Sequence, residues 1–148
     1  ALTQPAERGM SEEGGLLAAL KHMNSGSGTG SLIFVIATVN QVHKELERTL
    51  GSLQQRHDVV LLPVDDPADR ELPSMGKVIF SDSAGQLLEV DTDSFEGRKV
   101  FRDQWDRSRE ELQKMAYRLG IGMIPVNTQD DVHRTLIEGL RHYAGGHL

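Results

Sequence analysis

Apolar positions along the chain change period several times, and each change marks an element. Leu16, Leu20 and Met23 recur at helical spacing and predict a short helix over residues 14–23. The polar stretch "NSGSGTG" then breaks the chain. "SLIFVIATV" is short, β-branched and without polar alternation, which predicts a strand buried on both faces. Val42, Leu46, Leu50 and Leu53 form one helical stripe, and "HDVVLLPV" reads as a second buried strand ended by the turn-rich "DDPADRELP". "KVIFSDSAGQLLEV" holds two apolar runs around Asp82-Ser83-Ala84-Gly85, a hairpin pattern in which Gly85 supplies the positive φ.

The longest helix is predicted over 94–119, with Phe101, Trp105, Leu112, Met115 and Leu119 on one face and Gly120 as its stop. "IGMIPV" is a third buried strand, although Pro125 suits a sheet edge or strand end. A last helix follows in "NTQDDVHRTLIEGLRHY", with Val132, Leu136, Leu140 and Tyr143 inward, and with Thr128 as N-cap and Asp131 three residues on. Helices alternating with strands imply a three-layer α/β fold: a mainly parallel sheet with helices on both faces and an added hairpin. The chain divides into a polar segment 1–13, one α/β domain over 14–143 and a flexible tail 144–148.

Composition narrows the chemistry. The 148 residues carry a formal charge of −6, with basic and acidic residues interleaved as in "RDQWDRSREELQK", which argues against nucleic-acid binding and for a solvated helix face. There is no cysteine, so disulfides and thiolate metal sites are excluded and a reducing cytoplasm is the expected setting. No apolar run approaches the roughly 20 residues that cross a bilayer, and "ALTQPAERGMSEEGG" lacks the basic start and apolar core of a signal peptide. The chain does not begin with Met, so a processed or shortened start is expected.

In parallel sheets ligands gather at the carboxyl ends of the strands. Here that rim comprises Thr38, Asn40, Asp65, Asp66, Asn127 and Thr128. Asp65 and Asp66 are the best acidic candidates, able in principle to hold Mg²⁺ or to act in acid–base chemistry, but Asp66-Pro67 also has the form of a turn cap. "GSGTG" (Gly26–Gly30) follows a helix and opens a strand, the reverse of a phosphate loop, and reads as a flexible connection. His22, His43, His57, His133, His142 and His147 form no ligand-spaced pair. No nucleophile elbow is present, and Trp105 falls in a core stripe. These readings leave no catalytic residue and no cofactor, with Mg²⁺ the leading candidate ion and zinc at the histidines a remote one.

"GSLIFVIATV", "RHDVVLLPVDDPADRELPSMGKVIFSDSAGQLLEVDT", the long charged helix and "LGIGMIPVNTQDD" together resemble the C-terminal half of the domain-of-unknown-function 58 family, which is similar to von Willebrand factor A domains. The most specific stretch is Asp66-Pro67…Glu71-Leu72-Pro73 followed by the hairpin, and the resemblance runs from about Leu16 to Tyr143. It implies a non-enzymatic interaction module acting with a MoxR-type AAA+ ATPase in the assembly or activation of other proteins. It also implies a degenerate metal site. The Asp-x-Ser-x-Ser segment of A domains is missing, Ser11 falls near the loop Thr, and the third Asp aligns with neutral Thr38.

The resemblance further implies that strand 32–38 would be central in a complete A domain. In this chain it is expected as an apolar edge, covered by a second copy in a homodimer or by the other half of a longer gene product. Two rival readings are carried forward. One is a small Mg²⁺-dependent enzyme or phosphate-binding domain using Asp65, Asp66 and Asn40, and the other is a dimer-forming domain with no further activity.

Overall fold

The computed structural model describes residues 8–81 and 85–146, with side chains from Gly14 onward. Elements follow in the order α1 (Arg8–Asn24), β1 (Leu32–Ala37), α2 (Lys44–Gln54), β2 (Asp58–Asp65), α3 (Pro67–Arg70), β3 (Lys77–Ser81), β4 (Leu87–Asp91), α4 (Phe95–Leu119), β5 (Gly122–Met123), β6 (Val126–Asn127) and α5 (Val132–Gly145). The first helix therefore starts at Arg8, six residues before the start predicted at residue 14. Its polar opening turns carry no periodic signal.

The main sheet is parallel. β1 pairs along its whole length with β2, from Leu32 opposite Asp58 to Ala37 opposite Pro63. On the other side of β2 the expected third strand is split by Ile124-Pro125 into β5 and β6, both parallel to β2. Pro125, which cannot donate to a ladder, thus falls at the break and on the outer edge of the sheet. β3 and β4 form a separate antiparallel hairpin, with Val78 opposite Val90 and Phe80 opposite Leu88. Gly85 has φ 78° as expected of a turn glycine, while Asp82–Ala84 lie outside the described residues.

One face of the sheet carries the principal core. Ile33 and Val35 of β1 and Val59 and Leu61 of β2 meet Leu20 of α1, Leu46, Leu50 and Leu53 of α2, and Leu112, Met115 and Ala116 of α4. On the opposite face α5 lays Leu136 and Tyr143 over Val60, Leu62, Ile124 and Val126. α5 approaches closely enough that a Cβ on Gly139 would lie 2.6 Å from Ile124, and one on Gly122 would lie 2.5 Å from the Tyr143 ring.

β1 departs from expectation. It is not buried on both faces: burial alternates along it, and Leu32, Phe34 and Ile36 are 54, 45 and 67% exposed. The reason is geometric. α5 sits over β2, β5 and β6, and no described element covers the same face of β1. The last helix differs too. Its N-cap is Asp131, whose side chain accepts from the Arg134 N–H, so the helix begins three residues beyond Thr128. Val132 and Leu140 are substantially exposed, so only Leu136 and Tyr143 of the expected inward set reach the sheet. The long helix is as predicted, with Ser94 accepting from the Gly97 N–H and Gly120 at φ 69° closing it.

Candidate functional site

At the carboxyl end of β1, Thr38 and Asn40 are exposed on either side of buried Val39. The turn is tied to α4. The Ser108 hydroxyl donates to the Asn40 carbonyl at 2.6 Å, and Arg109 donates through Nη1 to the Val39 carbonyl. Arg109 also donates through Nη2 to Asp65 Oδ1 at the end of β2, and the two side chains are only 13 and 10% exposed. One guanidinium therefore clamps the tips of both strands. Its flat face lies 5.1 Å from the Trp105 ring centroid, and the Arg70 guanidinium stands 5.6 Å from the same ring. Arg70 is in turn held by Asp106 at 3.3 Å. A planar cation suits this place because it can satisfy a carboxylate and a carbonyl in its plane while stacking on an indole.

Asp66 is spent on local structure. Its side chain accepts from the Ala68 N–H at 2.9 Å while its own N–H donates to Asp69 at 3.3 Å, a reciprocal capping box with Pro67 opening α3. Thr128 donates its hydroxyl to Asp66 Oδ2 at 3.0 Å and its N–H to the Asp65 carbonyl at 2.9 Å. Asn127, opposite Asp65 in the sheet register, accepts from the Gln129 N–H at 2.9 Å. The fold thus brings Asp65, Asp66, Asn127 and Thr128 together as the rim reading expects, with Thr38 and Asn40 across the Arg109 clamp. Ser11 lies outside the residues whose side chains are described. Among the described residues no group of three or more His, Asp or Glu is placed to hold a metal ion.

The residues missed from the sequence are Ser108, Arg109 and Arg70. Arg109 was legible in principle. It stands four residues after Trp105 and three before Leu112, in phase with the buried stripe, so a cation there must find a buried anion.

A second surface lies on β1. Among the described strands it pairs with β2 alone, leaving its other edge free of a ladder. Next to that edge is the open face formed by Leu32, Phe34 and Ile36. On α5, Gly139 turns toward Ile124 on the far side of the sheet from β1. At 100° per residue Leu140, 37% exposed, lies on the flank toward β1, and Ile137, 36% exposed, turns about 60° further away from the sheet. Among the described residues no helix is long and apolar enough to cross a membrane.

No curated protein and no solved structure matches this chain. A family model described as "Protein of unknown function DUF58" matches residues 2–111, from before α1 well into α4. The chain belongs to the DUF58 family.

Proposed function

We propose that this protein is a non-enzymatic interaction module whose docking surface is β1, and that its sheet corresponds to the second half of a von Willebrand factor A-like fold. The observation that carries the reading is the combination on one strand of an unpaired edge and an uncovered apolar face. An unpaired edge is a template for another strand, and contiguous exposed apolar surface marks interaction sites. The rim contributes shape rather than reactive groups, since Asp65 is neutralised by Arg109 and Asp66 caps α3.

The partner implied by the family resemblance is a MoxR-type AAA+ ATPase, with the module acting in the assembly or activation of other proteins. A second copy pairing through the 32–38 edge, or a further part of a longer gene product, fills the same edge in other forms of the proposal. The test is capture of a purified MoxR-type ATPase from the same genome by immobilised protein. Wild type retains the ATPase and Phe34→Lys loses it; equal retention by both refutes this docking surface. Light scattering showing a stable monomer at micromolar concentration counts against self-pairing.

A further inference from the structure

On the sheet face opposite the open side of β1, α2 and the end of α4 bound a groove of about 640 Å³. Its wall is the outer side of α2. Leu46, Leu50 and Leu53 point into the core, so Lys44, Arg48, Gly51 and Gln55, spaced four, three and four residues apart, form one line on the reverse of the helix. Arg118 of α4 lines the other wall.

The groove inverts the charge of the molecule around it. The whole chain carries −6, whereas Lys44, Arg48 and Arg118 line the groove against the single carboxylate of Glu47, which Arg118 already holds at 2.8 Å. Glu45, whose field reaches Arg48, is bonded to Lys21, and Glu110 is paired with Lys114. Glu111, two turns before Arg118, is not part of the lining. Among the described residues Lys44 and Arg48 have neither an ion pair nor a side-chain hydrogen bond. Two lining residues also run against local helix preference. Lys44 holds the first position of α2, where the helix dipole disfavours a cation, and Gly51 lies mid-helix, where Ala would be more stable. Packing does not demand the glycine: a Cβ there would lie 3.2 Å from Cδ2 of Leu119, the movable end of a partly buried side chain. Local rules broken in one place without a compensating contact point to function.

The cations do not converge on a point. Lys44 and Arg48 are separated by one helical turn, about 6 Å along α2, and Arg118 faces them from α4. That layout fits a row of carboxylates better than a compact phosphate. Arg118 has donors enough to keep Glu47 and take a second acceptor, and the Gln55 amide extends the line with a group suited to a bound backbone. We infer that this groove binds an acidic segment of a partner protein, its carboxylates meeting Lys44, Arg48 and Arg118. The inference goes beyond the β1 reading and does not rest on it.

The probes are a ten-residue peptide with Glu at alternate positions, the same peptide with Gln in those places, and inorganic pyrophosphate. Backbone amide NMR shifts of the whole chain locate binding. At low salt the Glu peptide is expected to shift Lys44, Arg48, Gly51, Gln55 and Arg118, and to loosen as salt rises. The Gln peptide should bind about tenfold more weakly or worse, at roughly threefold for each of three exposed pairs. Lys44→Glu and Arg48→Glu should each weaken the Glu peptide about fivefold, since reversal replaces attraction by repulsion. Lys44→Glu should do so without lowering the melting temperature, because an acid suits the start of a helix. Phe34→Lys, on the opposite face of the sheet, should leave the affinity unchanged.

Equal affinity for the Glu and Gln peptides, shifts elsewhere, no binding, or wild-type affinity in both charge reversals overturns the inference. So does pyrophosphate binding the same residues more tightly than the Glu peptide, because the groove then takes a compact phosphate. A sedimentation dimer that Lys44→Glu dissociates also overturns it, since the occupant is then a second copy.

Discussion

Replacing Asp65 with Ala is the sharpest probe of the strand-tip clamp. The carboxylate and the Arg109 guanidinium are about nine-tenths buried, and Arg109 also donates to the Val39 carbonyl. Removing the anion leaves a cation in a place with little water, with the indole of Trp105 as its remaining electrostatic support. Breaking a buried pair from one side costs about 3–5 kcal/mol. With a urea slope of about 2 kcal/mol/M for a domain of this size, the midpoint should fall by about 2 M. Arg109→Met should cost a similar amount, since it strands the carboxylate and leaves the Val39 carbonyl without its donor. The double variant Asp65→Ala/Arg109→Met removes both charges, and Met retains contact with the indole. It should therefore cost about 2–3 kcal/mol less than the two single losses added together, which is the coupling read from the cycle. Urea unfolding followed by Trp105 fluorescence measures all four proteins, because the indole is part of the clamp. A single-variant midpoint within about 0.3 M of wild type would show that water screens the pair, and the clamp argument would fail.

Three further outcomes follow from close contacts and hydrogen bonds. A Cβ at position 97 would lie 2.0 Å from the Asp91 carbonyl oxygen, so Gly97→Ala must displace the hairpin or the first turn of α4; a loss of about 3 kcal/mol or more is expected in denaturant unfolding, and near-wild-type stability would refute that packing. Gly139→Ala meets the Cγ2 methyl of Ile124, fixed on its β-carbon, at 2.6 Å and should cost about 2–3 kcal/mol, read as faster proteolytic release of α5. The Ser74 hydroxyl, then the Gly76 N–H, hold the Asp93 carboxyl below its usual 3.8. A depressed folded-state pKa contributes stability above the unfolded value, lost as pH falls through the folded one. Ser74→Ala should move the Asp93 carboxyl titration upward in NMR, and an unmoved titration would exclude the Ser74 bond.

Local patterns were legible where one physical cause acted alone. Ser94, the apolar stripe and Gly120 bounded α4 because capping and burial agree there. The two-sided burial assigned to β1 failed because composition reports what a strand could bury, not what covers it; "LIFVIA" is apolar on both faces, and among the described residues only one face has a helix above it. The N-cap of α5 was misplaced because Thr128 and Asp131 both suit that role. The fold assigns Thr128 to Asp65 and Asp66, a contact across 62 residues that local pattern cannot show. The rim residues were found because strand ends are visible in sequence. Arg109 was missed because a charged helical run reads as solvated unless its phase is checked against the apolar stripe.

The long helix α4 has a mechanical consequence. Its 25 residues span about 37 Å. Near its start Phe101 stacks with Phe80 of the hairpin at 5.3 Å, and Arg98 donates to the Thr92 carbonyl at 2.7 Å. Thr92, fully buried, serves the Met75 N–H and the Gly76 carbonyl and so fixes the hairpin's root. Toward its end Leu112, Met115 and Ala116 are embedded in the core. The hairpin is thus borne on a rod clamped at one end in the sheet and braced midway by Arg109. A force or a bound partner at the hairpin acts on a lever whose fulcrum is the Arg109–Asp65 contact, and any tilt it produces arrives at the strand tips before it reaches the core.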